Sequence, residues 1–247
     1  MDSNIFIFIL VGFIAQSIDG ALGMAYGVSS NTFLLSIGIP PAAASASVHM
    51  AEVVTTGISG FSHWQLGNVD RSLIKRLIIP GVIGGVLGAY LLTNIPGEKI
   101  KPFISAYLLV MGMVILYKTL FKKQQTRPVT SNLAPLGLIG GFLDAIGGGG
   151  WGPVVTSTLV MRGKHPRYAI GTVNMTEFFV TLAQSITFIL TIGLTHWQVT
   201  LGLLIGGALA APLAAVLTRK LPVRALTASV GVIITILSLR TIYLSIA

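Results

Sequence analysis

The chain has 247 residues, of which 53% are hydrophobic and only 9% are charged, and its mean hydropathy is +0.85. Soluble domains carry about 25% charged residues, so this composition excludes a soluble globular protein and indicates a multi-pass membrane protein. The apolar segments are helical in length and do not alternate at every second residue, which predicts an all-α bundle rather than a β-barrel. The absence of cysteine excludes disulfides and thiol chemistry.

Ten apolar segments follow one another along the chain, five on each side of a basic linker. The first five lie near residues 4–18, 20–38, 41–62, 72–94 and 100–120, and the second five near residues 133–147, 149–161, 166–192, 196–218 and 222–246. This spacing predicts an N-terminal membrane repeat over residues 1–121, a basic cytoplasmic linker over residues 122–131 and a C-terminal membrane repeat over residues 132–247.

The early segments of each half are too short to cross a membrane squarely. Residues 4–18 and 133–147 would each form a helix about 22 Å long, whereas the hydrocarbon core is about 30 Å thick. We therefore expect the early segments of each repeat to be broken or re-entrant at glycine-rich turns, or tilted. Ten spans, or six spans with two hairpins, both remain compatible with the sequence.

The two halves repeat one motif, which indicates an internal duplication. Ser47–Glu52 (SVHMAE) aligns with Thr172–Glu177 (TVNMTE), and a His-Trp-Gln triplet recurs at residues 63–65 and 196–198. If the N-terminus is outside and each segment changes sides, 13 of the 16 Lys and Arg residues fall on the cytoplasmic side, as the positive-inside rule prefers. Both termini are then non-cytoplasmic. Because each half has an odd number of segments, the second repeat is inverted relative to the first.

Glycine interrupts the early segments of both halves. Half-helices that begin at such a break present free N–H groups and a positive dipole end, which favours an anion-binding site; the alternative is close helix packing through small residues. We expect substrate to bind at the two breaks, through Gly20, Gly23, Gly147, Gly148, Gly149, Gly150 and Trp151.

The third segment of each half carries a polar stripe at helical spacing. Carboxylates within membrane segments are costly and indicate function, so Glu52 and Glu177 are candidates for proton coupling. In the same two motifs we expect a substrate oxygen to be bound by His49, Ser47, Asn174 and Thr172. The alternative is a network of interhelical hydrogen bonds that only fixes the packing.

Two aspartates, Asp19 and Asp144, flank the breaks. Each could cap a half-helix N-terminus or take part in a proton path. Our alignment of the early segments, in which Gly12-Phe13 matches Gly141-Phe142, places Asp144 opposite Ala15 rather than opposite Asp19.

With these motifs in view, the whole chain resembles the TauE/SafE family of membrane permeases. The resemblance rests on the duplicated halves, the glycine-rich breaks and the Val-x-Met-x-Glu elements at 48–52 and 173–177. It implies transport of a small sulfur-containing or organic anion, often sulfite, across the bacterial inner (plasma) membrane. Asp19 departs from the glycine-rich pattern, because a carboxylate there repels an anion unless it is protonated or paired.

Together these features predict a secondary-active transporter that exports a small sulfur-containing oxyanion, such as sulfite or an organosulfonate, by proton-coupled alternating access. The chain contains no phosphate-binding loop of the Walker type and no hydrolase motif, so we expect no enzyme activity, no cofactor and no metal site. The alternatives are a cation or neutral-metabolite transporter that uses the buried carboxylates, a passive anion channel, and a non-transporting subunit or intramembrane enzyme. A homodimer is plausible from the prevalence of twofold assembly.

Overall fold

A computed structural model of the chain describes residues 5–22, 26–121, 132–217 and 223–246. Within these ranges every regular element is helical and no strand occurs, which confirms the expected all-α class. The basic linker over residues 122–131 and the candidate residue Gly23 lie outside the described residues.

The helices of the first half are α1 (Ile5–Leu22), α2 (Tyr26–Ser36), α3 (Pro41–Gln65), α4 (Arg71–Asn94) and α5 (Gly97–Phe121). The second half contains α6 (Ala134–Gly147), a π-helical turn (Gly152–Thr156) that runs into α7 (Ser157–Met161), then α8 (Pro166–Ile192), α9 (Trp197–Leu217) and α10 (Val223–Ile246). These bounds agree with the ten expected segments to within a few residues.

Local sequence signals explain several helix starts. Pro41 and Pro166 open α3 and α8, because proline lacks the N–H that a first turn leaves unbonded and its fixed φ suits that position. Asp70 precedes α4, and its carboxylate accepts the backbone N–H of Ser72, as an N-cap does.

The first break differs from our expectation. Helix α1 continues through Asp19 and Gly20 to Leu22, so Gly20 is a helical residue and does not end the helix. A single glycine costs a helix about 1 kcal/mol, and the Ala-Leu pair that follows restores good helix-forming residues. The second break lies where it was expected, between Gly147 and Trp151.

Among the described residues, three helical stretches are long and apolar enough to cross a membrane: Arg71–Asn94, Gly97–Tyr117 and Arg167–Ile192. Helices α2 and α6 have 11 and 14 residues, or about 16 and 21 Å at 1.5 Å per residue. Both are shorter than the thickness of a bilayer core.

Helices of the two halves interleave in one bundle. Helix α1 packs along α9 and α4 along α6, while α3 packs along α8 and α5 along α10. The closest approaches use glycine: a Cβ at Gly84 would overlap the backbone of Leu138 in α6, and one at Gly206 would overlap the backbone of Ile9 in α1. Each first helix is thereby packed against the fourth helix of the other half.

At one end of the bundle, the segment before α4 is tied to the segment before α8. Lys164 Nζ donates to Asp70 Oδ2 at 2.5 Å, and Arg167 donates to the side chain of Asn68 and to the Leu66 carbonyl. We call these contacts the loop latch. Partial burial acts to raise the pKa of Asp70, but hydrogen bonds from Lys164 and Ser72 outweigh it and lower this pKa to about 2.

The loop latch predicts a pH-dependent stability. Since the pKa of Asp70 is lowered in the folded state, its stabilisation is complete above the unfolded value of about 3.9 and is lost as the pH falls toward 2. We expect Asp70→Asn, which keeps a capping residue, to melt below the wild type at pH 6 and level with it near pH 2. Tryptophan fluorescence during thermal unfolding in detergent measures the difference.

Lys164→Gln is the matched variant, since it removes the other partner of the same ion pair. The double variant should melt no lower than either single variant. An Asp70→Asn deficit of equal size at pH 6 and pH 2.5 would contradict the assignment.

Candidate functional site

The two helix breaks meet at one point inside the bundle. Gly148 and Gly149 connect α6 to the π-helical turn with φ angles of 63° and 154°, conformations that strongly favour glycine. A Cβ at Gly149 would overlap the backbone of Gly27 and Val28, at the start of α2. The N-terminal turn of α2 is thus packed directly on the glycine run, and we call this contact the break junction.

Side chains from α2 and α5 hold the break junction in place. Asn31, in α2, donates through Nδ2 to the Gly147 carbonyl at 2.5 Å. Tyr107, in α5, donates its hydroxyl to the Gly149 carbonyl at 3.4 Å. Its ring fills the space that a Cβ at Gly147 would need, and its hydroxyl oxygen fills the space that a Cβ at Gly150 would need. The last carbonyls of α6 therefore have protein partners, which a helix end buried in a membrane requires.

Asp144 satisfies the amides of the same run. Its backbone carbonyl accepts the N–H groups of Gly148 and Gly149. Its Oδ1 atom accepts from the N–H of Gly150 at 2.7 Å and of Trp151 at 2.9 Å. The expected anion site would use these same amides. In this conformation the carboxylate of Asp144 binds them, in the position where a substrate anion would bind.

Asp19 makes the corresponding contact at the first break. Its Oδ1 accepts the N–H of Tyr26 at 3.2 Å, and both aspartates thereby bind the amide seven residues later in the chain. The sequence separation from Asp19 to Asp144 equals that from Glu52 to Glu177. Along the helices our alignment holds, because Ile9 of α1 lies against Gly206 as Leu138 of α6 lies against Gly84. The two aspartates therefore correspond in their contacts, although they are not opposite each other in the aligned first helices.

Three carboxyl groups line a small cavity beside the break junction. Asp19, Glu52 and Glu177 face it together with the starts of α2 and of the π-helical turn; its other lining residues are Tyr26, Gly27, Val28, Gly149, Gly150, Gly152 and Pro153. Its volume of about 10 Å³ is about enough for one water molecule. An ion the size of sulfite would require the cavity to widen.

The two glutamates are held deep within the protein. Glu52 and Glu177 are 3% and 8% exposed, although they lie on different helices, α3 and α8. Within the described part of the chain, Oε2 of Glu52 has no hydrogen-bond partner. A buried carboxyl group without donors is costly when ionised, which favours a group that binds and releases a proton.

His49 lies behind the cavity rather than in its lining. Its Nε2 atom is 3.2 Å from Oδ2 of Asp144 and 4.0 Å from Oε2 of Glu52. Asn174 occupies the matching position in α8, but its Nδ2 donates to the Ile170 carbonyl of its own helix. Neither side chain is aimed at the cavity as a substrate ligand in this conformation.

Three other expected ligands are also absent from the described lining of the cavity: Trp151, Thr172 and Ser47. Trp151 is fully buried, and its indole N–H donates to the Val173 carbonyl at 3.3 Å. Thr172 accepts the backbone N–H of Asp70 near the loop latch, and Ser47 is buried in α3. Gly20 lies within α1. The residues that the sequence predicted as ligands thus include some that line the cavity and others that only pack against neighbouring helices.

Three residues of the site were missed by the sequence reasoning: Tyr26, Asn31 and Tyr107. Gln184 belongs to the polar stripe of the second half, and its Nε2 donates to Asp144 Oδ2. Asn31 was detectable in principle, because an amide inside an apolar segment needs a partner. Tyr26-Gly27 matches Trp151-Gly152 at the same sequence separation as the glutamates, which also could have been recognised. Nothing in the sequence around Tyr107 distinguishes it from an interfacial tyrosine.

Comparisons with known proteins identify a family and two relatives of this chain. The profile of a family described as "Sulfite exporter TauE/SafE" matches residues 8–241. A "Probable membrane transporter protein YtnM" of Bacillus subtilis (strain 168) is 44% identical over 97% of this chain and 83% of the relative. A second protein of that strain, "Probable membrane transporter protein YdhB", is 26% identical over 87% of both chains. No solved structure was found to match.

The chain therefore belongs to the TauE/SafE family and is a membrane transporter.

The break junction predicts a sharp difference between two glycines. Gly149→Ala should abolish folding or transport, because its Cβ meets the backbone of Gly27 and Val28. Gly38→Ala is the matched control, since Gly38 has a φ of 92° but no atom within 4 Å of the place that a Cβ would occupy. This variant carries only the strain of an L-residue in a left-handed conformation, about 1–2 kcal/mol. Yield of monodisperse protein in detergent and thermal unfolding test this. Equal behaviour of both variants would contradict the junction.

Proposed function

We propose that this protein is a secondary-active transporter that exports a small sulfur-containing oxyanion, such as sulfite or an organosulfonate, coupled to protons and by alternating access. The observation that carries the proposal is the cavity where two half-helix N-termini meet Asp19, Glu52 and Glu177. Helix N-termini favour an anion, and carboxyl groups beside them favour one only when they hold protons. The description of the matching family, sulfite exporter, supports this substrate class.

Electrostatics links the anion to the proton. Two like charges 4 Å apart repel by about 4 kcal/mol at an effective dielectric constant of 20. An anion that enters the cavity therefore favours protonation of Glu52 or Glu177. The anion and the proton then cross the membrane together. The membrane potential favours outward movement of the anion and its proton as long as together they carry a net negative charge. The contribution is about 2.3 kcal/mol per charge and 100 mV.

The helix pairing supports alternating access between two inverted repeats. Exchange of the halves maps the contact of α1 with α9 onto that of α6 with α4, and maps the pairs α3–α8 and α5–α10 onto themselves. Transporters built from inverted repeats bind substrate between the repeats near the membrane midplane. In the proposed topology the substrate lies at the break junction, and rocking of one repeat against the other exposes it to each side.

One end of the bundle is tied by the loop latch and the other contains a pocket, an arrangement that suits alternating access. The loop latch ties the ends that the charge pattern assigns to the cytoplasm, and its cations help to gather anions. At the opposite end a pocket of about 420 Å³ lies between the segments before α3 and before α9. We propose that the latch opens when substrate enters from the cytoplasm of a bacterium, across the inner (plasma) membrane.

One observation favours a second candidate, a cation transporter. Three carboxyl groups around one cavity would attract a cation if they were ionised. This candidate predicts that metal or organic cations compete for the site and that sulfite neither binds nor moves. A passive anion channel predicts sulfite flux that a proton gradient does not drive.

Sulfite uptake into proteoliposomes tests the proposal. We expect saturable uptake that rises when the outside is made acidic, because protons enter with the anion. Glu52→Gln and Glu177→Gln should lower the gradient-driven part by about fivefold or more, the usual size of a coupling effect. Uptake with no response to the gradient in any protein would indicate a channel, and no uptake by folded protein would remove sulfite as the substrate.

Glu98→Gln is the matched control, because Glu98 is an exposed glutamate in the first turn of α5. It makes the same chemical change far from the cavity and should transport like the wild type. Asn174→Ala distinguishes a substrate ligand from a packing residue: a changed Michaelis constant for sulfite would support a ligand. An equal loss of uptake in Glu98→Gln would contradict a role specific to the buried glutamates.

A further inference from the structure

Two obligatory acceptors fix the protonation of His49. Its Nδ1 atom lies 2.7 Å from the carbonyl oxygen of Ser45, which can only accept, so Nδ1 carries a hydrogen. The Ser45 hydroxyl, 3.2 Å from Nδ1, donates its own hydrogen to the Ala145 carbonyl at 2.6 Å. The ring is thereby oriented with Nε2 toward α6.

At Nε2 the partner is a carboxylate that already has other donors. Asp144 Oδ2 lies 3.2 Å from Nε2 and also accepts from Gln184 Nε2 at 3.1 Å. Asp144 Oδ1 accepts two backbone N–H groups, from Gly150 and Trp151. Three donors to a carboxylate stabilise its ionised form, so the proton between His49 and Asp144 belongs to the imidazole, which is then an imidazolium.

A second carboxyl group lies within reach of the same proton. Glu52 Oε2 is 4.0 Å from His49 Nε2 and has no hydrogen-bond partner among the described residues. Glu52 lines the cavity, whereas His49 and Asp144 are fully buried behind it. His49 is therefore the link between the cavity and the carboxylate that holds the second half-helix.

We propose that His49 is the carrier of the coupled proton, which it exchanges with Glu52 while Asp144 holds it in place. In the forward step the Nε2–H bond breaks and a bond from hydrogen to Glu52 Oε2 forms. His49 becomes a neutral imidazole and Glu52 a neutral carboxylic acid, so charge and atoms balance. The inference rests on the proposed function only in calling this the proton that is coupled to transport.

The proton transfer also changes a contact between two helices. A neutral His49 that still donates from Nδ1 presents a lone pair from Nε2 to Asp144 Oδ2, and two acceptors repel. The contact between α3 and α6 then weakens, while Asp144 keeps its hold on Gly150 and Trp151. Transfer of the proton to Glu52 thus weakens one of the two described side-chain contacts between α3 and α6, while the bond from Ser45 to the Ala145 carbonyl remains.

The surroundings of the pair contain other titratable groups. Glu177, from α8, and Asp19, from α1, face the cavity with Glu52. Tyr107, from α5, packs on the glycine run that follows Asp144. Two uncharged side chains of α8 also lie beside the pair. Phe188 covers the His49 ring at a centroid distance of 5.9 Å, and Gln184 donates to Asp144. The nearest of these groups to Nε2, after Asp144, is Glu52.

The second half of the chain provides a natural control. Asn174 matches His49 in position and donates to the carbonyl of the residue four places earlier, Ile170, as His49 does to Ser45. It cannot carry a proton. His49→Asn therefore retains a side chain able to make the local backbone bond, and removes the titratable group together with its contacts to Asp144 and Phe188.

Histidine-selective ¹⁵N NMR of the purified protein at pH 7 tests the protonation state without any substrate. We expect one doubly protonated imidazole that disappears in His49→Asn and becomes neutral in Asp144→Asn. His165→Asn, which leaves an N-capping residue before α8, should retain the signal. A wild-type His49 that is neutral at pH 7 would overturn the inference, whatever the substrate is.

Proteoliposomes test the coupling. We measure the ratio of sulfite accumulation driven by a pH gradient to sulfite exchange at equal pH. In His49→Asn this ratio should fall about fivefold or more, whereas in His165→Asn it should not change. An unchanged ratio in His49→Asn would overturn the inference, as would a proportional loss of both activities. Absence of sulfite flux in the wild type would instead count against the proposed function, and the NMR result would then decide the inference.

Discussion

The structure depends on one constraint: a helix broken inside a membrane must find partners for its free backbone groups. Asp144 and Asp19 provide acceptors at the starts of the π-helical turn and of α2, while Asn31 and Tyr107 provide donors for the carbonyls at the second break. Each unpaired buried group would cost about 1–3 kcal/mol. Meeting this requirement places the polar atoms at one point, between the third helices of the two halves.

The same constraint connects stability to the proposed transport. A carboxylate that caps a half-helix is also a base, and an amide that it binds is also an anion ligand. Because Asp144 already occupies the amides of the glycine run, a substrate anion must compete with it or bind beside it. We propose that the protons of His49 and Glu52 decide this competition, so that capping, substrate binding and coupling share one set of groups.

Much of this architecture could be predicted from the sequence, and the failures have physical causes. Segment length and hydropathy located the helices, and the rarity of buried glutamates identified Glu52 and Glu177. The shared contact of Asp19 and Asp144 was missed because the alignment of the first helices does not place the two residues opposite each other. The contact of His49 with Asp144 was also missed, since only three-dimensional packing brings α6 against α3. The prediction that the Gly147–Gly150 amides are free could not foresee an acceptor within the preceding helix, Asp144.

The central claim is that an anion and a proton occupy the site together. The most direct test is the number of protons taken up when sulfite binds to the purified protein, measured by calorimetry in buffers of different ionisation enthalpy at one pH above 7. The account predicts net uptake of about one proton per sulfite, beyond the protonation of sulfite itself, because His49 recovers from solution the proton that it gives to Glu52. This uptake is abolished in Glu52→Gln. Sulfite binding with no proton uptake by the protein, or with uptake unchanged in that variant, would contradict it.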